Sequence, residues 1–257
     1  VLYRVMQLVL VSLLVTAFFG AVAPSPARRI VGGQFAQNEK QFPYQVALFE
    51  TDEFKCGGSI IAEKWILTAA HCIVQYDGSP TSTDVLKVHV GSPHLKKGGK
   101  KVKPSRIIPH ADYPKINYDI GLIELEEALV YDKTIQKIEL YRGELPVNVT
   151  VTISGHGKTG SNEPISEMLK YNTLTVMDET ECFNQIIASG WKKIMCLKKP
   201  ADNNGICTGD SGGPAVFNGK QVGVANFVLG KCGSIRTDGY AFVPFFVPWI
   251  EETMKQQ

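Results

Sequence analysis

One serine lies in a glycine-rich run that suits a catalytic nucleophile. The run is Cys207-Thr208-Gly209-Asp210-Ser211-Gly212-Gly213-Pro214, and its glycines allow the backbone to turn tightly and to approach a substrate closely. A serine hydroxyl attacks a carbonyl only when a general base lies beside it and N–H donors await the developing oxyanion. Ser211 as a nucleophile therefore requires a histidine and an acid elsewhere in the chain.

Both partners are found upstream. His71 in Thr68-Ala69-Ala70-His71-Cys72 is the candidate base, and Asp119 in Tyr118-Asp119-Ile120-Gly121-Leu122 is the candidate acid. The acid would accept the N–H of His71, fix its tautomer and stabilise the imidazolium. The chain order His, Asp, Ser is that of the chymotrypsin type, whereas subtilisin has Asp, His, Ser and α/β-hydrolases have Ser, Asp, His.

From Ile30 to the C-terminus the sequence resembles the chymotrypsin family of trypsin-like serine proteases. The motifs that carry the resemblance occur in the family's order: Arg29-Ile30-Val31-Gly32-Gly33, Cys56-Gly57-Gly58-Ser59, the His71 motif, Asp119 and Gly209-Asp210-Ser211-Gly212-Gly213-Pro214. The resemblance implies an all-β fold of two six-stranded antiparallel Greek-key β-barrels, with the active site between them and a C-terminal helix. It also implies that the N–H groups of Gly209 and Ser211 form the oxyanion hole, and that no metal or organic cofactor takes part.

Composition and cysteine content agree with a secreted protein. The chain has 257 residues and a formal charge of +2, and the charge is about −1 beyond Arg29, so net charge identifies neither a nucleic-acid nor any other partner. Six cysteines would be unusual as free thiols in the cytosol, although they allow 15 connectivities. The family resemblance implies the pairs Cys56–Cys72, Cys182–Cys196 and Cys207–Cys232.

The first 29 residues are predicted to be removed. A charged start followed by the apolar stretch Leu8 to Phe19, which is too short to span a membrane comfortably, predicts a signal peptide over residues 1–23 and an extracellular protein. Residues 24–29 then form a short activation propeptide ahead of a protease domain over residues 30–257. By resemblance, a trypsin-like protease cuts after Arg29, and the new amine of Ile30 folds inward to pair with Asp210.

Short strands must position these residues. Apolar or alternating runs separated by Gly, Pro, Asn and Asp predict an all-β protein: Tyr44–Phe49, Trp65–Thr68, Lys87–Val90, Asp119–Leu125, Val149–Ile153 and Gln221–Val228. The chain is expected to cross from one barrel to the other between residues 128 and 144. The spacing from Trp249 to Met254, after Pro248, predicts the terminal helix.

The substrate pocket is located by resemblance, and its pattern is similar to that of arthropod chymotrypsin-like, elastase-like and collagenolytic relatives. Gly205, six residues before Ser211, brings no charge to the bottom of the pocket. Val228, on the wall, makes the pocket narrower, so medium aliphatic substrate side chains are expected to fit best. Asp238 is expected as a buried unpaired carboxylate that would accept a substrate cation, water or a hydroxyl. Asn226-Phe227-Val228 replaces the usual Ser-Trp-Gly of the cleft. That departure leaves open an inactive homologue that acts as a binding protein.

Two surface features remain. Asn148-Val149-Thr150 is a glycosylation sequon, in a segment with strand character. Lysines crowd one stretch, Lys96–Lys103, and no Asp or Glu occurs from Ser92 to Arg106, so a calcium site there is not expected. The stretch is either a solvated loop or a site for an anionic partner. By resemblance, macromolecular protease inhibitors are further partners.

Overall fold

Strands dominate the chain, as the alternating runs predict. The computed structural model describes residues 30–186 and 193–256. The strands in these ranges are β1 (Gln34–Phe35), β2 (Gln45–Glu50), β3 (Glu53–Ala62), β4 (Trp65–Thr68), β5 (Leu86–Val90), β6 (Lys100–Val102), β7 (Pro104–Pro109), β8 (Gly121–Leu125), β9 (Glu139–Leu140), β10 (Thr150–Gly155), β11 (Lys170–Val176), β12 (Ile194–Lys198), β13 (Pro214–Phe217), β14 (Lys220–Val228) and β15 (Asp238–Phe242). The two α-helices are α1 (Glu179–Ile186) and α2 (Val243–Lys255).

The strands form two separate sheets. The first has the order β6-β5-β2-β3-β4-β8-β7. Its two edge strands, β6 and β7, are separated in the chain by Lys103 alone. They act as one continuous strand, so the sheet closes into a six-stranded barrel. The second closes as β11-β10-β13-β14-β15-β12, because β12 also pairs with β11, while β1 and β9 add short edges. Numbered within each barrel, both rings contain the adjacent order 4-1-2-3 of a Greek key. The prediction of two six-stranded Greek-key barrels is confirmed.

Each barrel has its own hydrophobic core. Leu48, Ile66 and Leu122 are fully buried in the first, and Val151 and Leu197 in the second. These side chains come from the alternating positions of their strands, so one face of each sheet forms the barrel interior. The segment 126–149 connects the last strand of the first barrel to the first strand of the second.

The C-terminal helix begins earlier than its sequence pattern predicts. It starts at Val243, with Pro244 in its first turn and Pro248 inside it, whereas the prediction started it after Pro248. Proline is tolerated in a first turn, but an internal proline removes one helical hydrogen bond. Burial of Phe246 and Ile250 against the first barrel's core compensates for that loss, which is a tertiary effect.

The implied disulfide connectivity is confirmed. Cys56–Cys72 joins β3 to the turn that carries His71, Cys182–Cys196 joins α1 to β12, and Cys207–Cys232 ties the segment before Ser211 to the loop before β15. Neither α1 nor α2 is long and apolar enough to cross a membrane. The predicted signal peptide and propeptide lie outside the described residues.

Candidate active site

The predicted base and acid are in contact at one edge of the first barrel. His71 lies in a 3-10 turn, Ala70–Cys72, just after β4, and Asp119 lies just before β8. Since β4 and β8 are paired antiparallel, the end of one strand lies next to the start of the other. His71 Nδ1 is 2.7 Å from Asp119 Oδ2, and the backbone N–H of His71 donates to Asp119 Oδ1 at 2.9 Å.

This contact determines which ring nitrogen carries the proton. A carboxylate only accepts hydrogen bonds, so the Nδ1 that faces Asp119 must be the donor. Nε2 is then left unprotonated as a base. The side chain of Asp119 is 12% exposed and that of His71 is 32% exposed, so the acid is shielded while the imidazole remains accessible.

The backbone of Ser211 is held against the first barrel although its segment belongs to the second. The N–H of Gly57 in β3 donates to the carbonyl of Ser211 at 2.8 Å, and the N–H of Gly212 donates to the carbonyl of Ala225 in β14 at 2.7 Å. Ser211 thus lies at the seam between the barrels, half-buried. The strand that holds it, β3, pairs with β4, which leads into the turn of His71.

Two backbone donors beside Ser211 are available to a ligand. Within the described ranges, neither the N–H of Gly209 nor that of Ser211 donates to a protein acceptor. Gly209 has φ +97°, and a Cβ there would lie 2.8 Å from Ile165 Cδ1, so its turn requires glycine. Both N–H groups have the types and sequence spacing that an oxyanion hole requires.

Asp210 is a fully buried carboxylate directly beneath this turn. It accepts hydrogen bonds from the backbone N–H groups of Gly157 at 2.7 Å and Cys207 at 3.0 Å. Burial raises its pKa to about 7, although these N–H groups and the ammonium of Lys170 act in the opposite direction. Such a group would be stabilised as a carboxylate by a cation beside it.

The residues that follow the proposed cleavage site pack against the second barrel. Ile30 is fully buried in the core of the second barrel, and Val31 bridges Gly205. Arg29 lies outside the described residues. The buried position of Ile30 is compatible with the predicted pairing of its amine with Asp210, which stays a prediction.

The expectation that Asp238 is unpaired is wrong. Its Oδ1 lies 2.7 Å from the Nζ of Lys199, with both side chains fully buried, and its Oδ2 accepts the N–H of Ile206 at 2.8 Å. Burial raises the pKa of Asp238 to about 6, and the Lys199 ammonium opposes that rise. The sequence offered no signal for this, because the pair Lys198-Lys199 after a strand is typical of a solvated turn.

The three residues that depart from the family's cleft pattern are consecutive at the end of β14. Asn226 occupies an irregular position of β14 and is 7% exposed, and no described residue bonds its amide. The ring of Phe227 packs where a side chain on Gly239 would be. Val228 pairs with Asp238 across β14 and β15 and packs on the second core, and its position on the pocket wall stays a prediction.

An apolar cavity that the sequence analysis missed borders Val228. It has a volume of about 270 Å³ and is lined by Ile116, Ile186, Ile194, Phe227, Val228 and Leu229. Ile116 is 53% exposed, three positions before Asp119. Its closeness in sequence to Asp119 was the only signal that Ile116 lines a cavity, because an isolated isoleucine belongs to no hydrophobic repeat.

The lysine stretch is partly neutralised. Lys96 pairs with Glu167, and Lys101 pairs with Asp52 at 3.0 Å; both carboxylates lie outside the stretch in sequence. Three lysines of the stretch are exposed and have no ion pair within the described residues: Lys97, Lys100 and Lys103. The positive charge at this surface is therefore smaller than the five lysines of the sequence suggest.

The sequon lies in a turn rather than in a strand. Asn148 is exposed, has φ +61°, and precedes β10, which begins at Thr150. Asparagine is among the residues that adopt this left-handed conformation most readily. The site is accessible to a modifying enzyme.

Comparison with known protein families gives one match over most of the chain. The family model described as Trypsin matches residues 30–250. A relative from Anopheles gambiae, Serine protease SP24D, is 43% identical over 232 residues, which are 89% of this chain and 82% of the relative. Trypsin alpha-4 of Lucilia cuprina is 33% identical over 235 residues, 89% of each protein.

Solved structures match the fold at lower identity. Neuropsin, a serine protease expressed in the limbic system of mouse brain, superposes with a TM-score of 0.78 at 24% identity, covering 87% of this chain and 99% of neuropsin. Human heparin binding protein superposes with a TM-score of 0.77 at 24% identity, covering 88% of this chain and 97% of that protein. At these identities the likeness supports the barrels and their arrangement.

Proposed function

The chain belongs to the trypsin family of serine proteases and is a serine endopeptidase, and we propose that it cleaves peptide bonds with Ser211 as nucleophile, His71 as base and Asp119 as orienting acid. The observation that carries this assignment is the His71–Asp119 pair, joined through both carboxylate oxygens. That pair lies at the barrel edge next to the strand that holds Ser211.

The mechanism follows from the donors and acceptors in place. Nε2 of His71 takes the proton of Ser211 as Oγ attacks the substrate carbonyl, and it returns that proton to the leaving amine. Asp119 stabilises the imidazolium that forms, and the N–H groups of Gly209 and Ser211 donate to the oxyanion. Water then hydrolyses the acyl-enzyme by the same route in reverse.

An inactive binding protein is the less favoured reading. Asn226 and Val228 are the residues that suggest it. Against it, Asp119 is in contact with His71. The N–H groups of Gly209 and Ser211 also have no acceptor within the described chain, so both can bind an oxyanion. A fluorophosphonate probe applied after activation by trypsin tests the choice, since it labels only an activated serine. Labelling of Ser211 supports the enzyme, and absence of labelling supports the binding protein.

Activation by cleavage is part of the proposal. Residues 1–23 would direct secretion, and an external trypsin-like protease would cut after Arg29. The buried carboxylate of Asp210 supports this sequence of events, because its raised pKa makes a new cation from Ile30 favourable there.

The amine of Ile30 predicts an alkaline limit to activity. A free α-amino group titrates near 7.7–8.0, and pairing with a carboxylate raises that pKa. A raised amine pKa stabilises the active conformation fully below the free value, and that stabilisation is lost as pH rises through the paired value. We expect kcat/KM of the cleaved enzyme to fall reversibly above about pH 8, measured with an uncharged substrate. A profile that stays level to pH 11, where the amine would be neutral, contradicts the pairing.

The pocket favours apolar side chains before the scissile bond. Gly205 brings no charge to the bottom of the pocket, and the two methyl groups of Val228 make the pocket narrower. Substrates with Leu, Met or Val before the scissile bond are therefore expected to be cleaved faster than those with Phe. The apolar cavity beside Val228 and Ile116 supports binding of further apolar substrate residues.

Replacing Val228 by glycine should widen the pocket. Removal of the isopropyl group relieves overlap with flat rings, so the ratio of kcat/KM for Phe over Leu substrates should rise by roughly 10-fold or more, the scale set by one methylene in an apolar pocket. Val130→Gly is the matched control, because Val130 is 77% exposed and lies outside the cleft. An unchanged Phe to Leu ratio in Val228→Gly contradicts the wall assignment.

Surface partners remain part of the proposal. An anionic partner would contact Lys97, Lys100 and Lys103, with weaker attraction than five free lysines would give, because Lys96 and Lys101 are paired. A glycan on the exposed Asn148 and inhibition by macromolecular protease inhibitors are proposed on the sequon and on family membership.

A further inference from the structure

A buried ion pair lies directly against Gly205, the residue proposed for the base of the substrate pocket. The Nζ of Lys199 lies 2.7 Å from Asp238 Oδ1, and neither side chain is exposed. We propose that Lys199 is a specificity-determining residue whose ammonium occupies the place of a substrate's cation, so that the pocket rejects Lys and Arg. This inference rests on the proposed endopeptidase function and deepens it by naming the side chains that the site excludes.

The pair fills the space that a side chain on residue 205 would occupy. A Cβ on Gly205 would lie 2.2 Å from Asp238 Oδ2, 2.5 Å from Lys199 Cε and 3.0 Å from Lys199 Nζ. The absence of a side chain on Gly205 is therefore what admits the lysine. Lys199 and Asp238 together take the volume beneath the segment that leads to Ser211.

Two further segments hold the pair in place. Besides its contact with Asp238, Lys199 Nζ donates to the carbonyl of Ser234 at 3.0 Å. Asp238 Oδ2 accepts the N–H of Ile206 at 2.8 Å, while Oδ1 faces the ammonium of Lys199. A buried charge without its partner is strongly unfavourable, and a substrate cation would have to displace the ammonium to reach the carboxylate.

The consequence for substrates follows from charge. A Lys or Arg side chain entering this pocket would lose its hydration and would come close to the ammonium of Lys199, and like charges repel strongly where water is excluded. An aliphatic side chain brings no charge and meets a base whose charges cancel. The presence of Asp238 therefore does not make this pocket selective for basic residues.

A purely structural role for the pair predicts something different. If the pair only supported the loop, its removal would lower turnover of all substrates alike. If it sets specificity, removal of the ammonium alone should raise activity toward basic substrates relative to apolar ones. The test therefore compares variants that share a cavity and differ in charge.

Lys199→Ala removes the side chain from Cγ to Nζ and leaves the carboxylate of Asp238 facing the new space. The double variant Lys199→Ala/Asp238→Asn has the same space without the charge. We expect n-butylammonium, an analogue of the lysine side chain, to bind the activated Lys199→Ala protein roughly 100-fold more tightly than activated wild type in calorimetry, the scale expected for one buried charge contact. The double variant should lose this gain, and uncharged n-butanol should not separate the two variants.

Turnover gives the second readout. The ratio of kcat/KM for Lys over Leu p-nitroanilide peptides should rise by about the same 100-fold in Lys199→Ala and should not rise in the double variant. The reciprocal variant Asp238→Asn leaves the ammonium without its carboxylate and should raise the ratio for Glu over Leu. An unchanged Lys to Leu ratio, or an equal gain in the double variant, overturns the inference.

The design separates failure of the inference from failure of the proposed function. If the calorimetric switch occurs but no variant turns over a substrate or reacts with a fluorophosphonate, the pocket assignment holds and the endopeptidase mechanism is wrong. If Lys199→Ala does not fold, Lys199→Ser, which opens the same space and is also uncharged, takes its place. The wild-type protein provides a further test: if its kcat/KM is higher for Lys than for Leu peptides, the inference is overturned.

Discussion

Ser211→Ala is expected to abolish useful peptidase activity, with kcat lowered by roughly 10⁴-fold or more. The variant keeps the oxyanion donors and the substrate pocket but has no atom that can form the acyl-enzyme. The variant should also fail to react with a fluorophosphonate. Hydrolysis of an uncharged peptide p-nitroanilide by protein cut after Arg29 provides the measurement.

Two comparisons make this result specific to the proposed group of residues. Adding His71→Ala to Ser211→Ala should cost little more, because residues that act as one unit are not additive. Ser105→Ala is the matched control: Ser105 is exposed on β7 and should leave kcat unchanged. Residual activity in Ser211→Ala within tenfold of wild type contradicts the assignment of the nucleophile.

Arg29→Gln should keep the protein in its uncut form, with activity at least about 100-fold below that of cleaved enzyme. Without the cut, no amine forms on Ile30, and Asp210 keeps a buried carboxyl whose pKa is raised to about 7. The oxyanion donors of Gly209 and Ser211 are then not held in place, and loss of such donors typically costs 10²–10³ in rate. Activity is measured before and after treatment with trypsin.

The neighbouring arginine supplies the control. Arg28→Gln leaves Arg29 in place, so trypsin should still release a chain that begins Ile30-Val31-Gly32-Gly33, as N-terminal sequencing would show. If Arg29→Gln protein, uncut at that bond, were as active as cleaved wild type, activation by cleavage would be refuted.

Much of the fold could be predicted because strand patterns are local. Short apolar or alternating runs mark strands, and Trp65–Thr68, an apolar run that is buried throughout, was predicted with the bounds that β4 has. The start of α2 was missed because Pro248 is a local signal to stop a helix, whereas burial of Phe246 and Ile250 on the other barrel is not visible in the neighbouring sequence.

The candidate site was predictable in its residue types and their order. The serine within glycines, the histidine before a cysteine and the later aspartate each stand in a recognisable local motif, and the structure brings His71 and Asp119 into contact. The disulfide pairs came from family resemblance, because cysteine spacing alone leaves many connectivities open.

The sequence by itself determined the reaction chemistry, the all-β class and the absence of an acidic residue at position 205. Only the tertiary structure decided which group pairs with Asp238 and which lysines of the stretch lie in ion pairs among the described residues. Lys199 and Asp238 are distant in sequence, and they meet because β12 and β15 pair as neighbours and bring the adjoining loops together. Whether a charged side chain is solvated or paired depends on the groups around it in space, and no local pattern of residues records those neighbours.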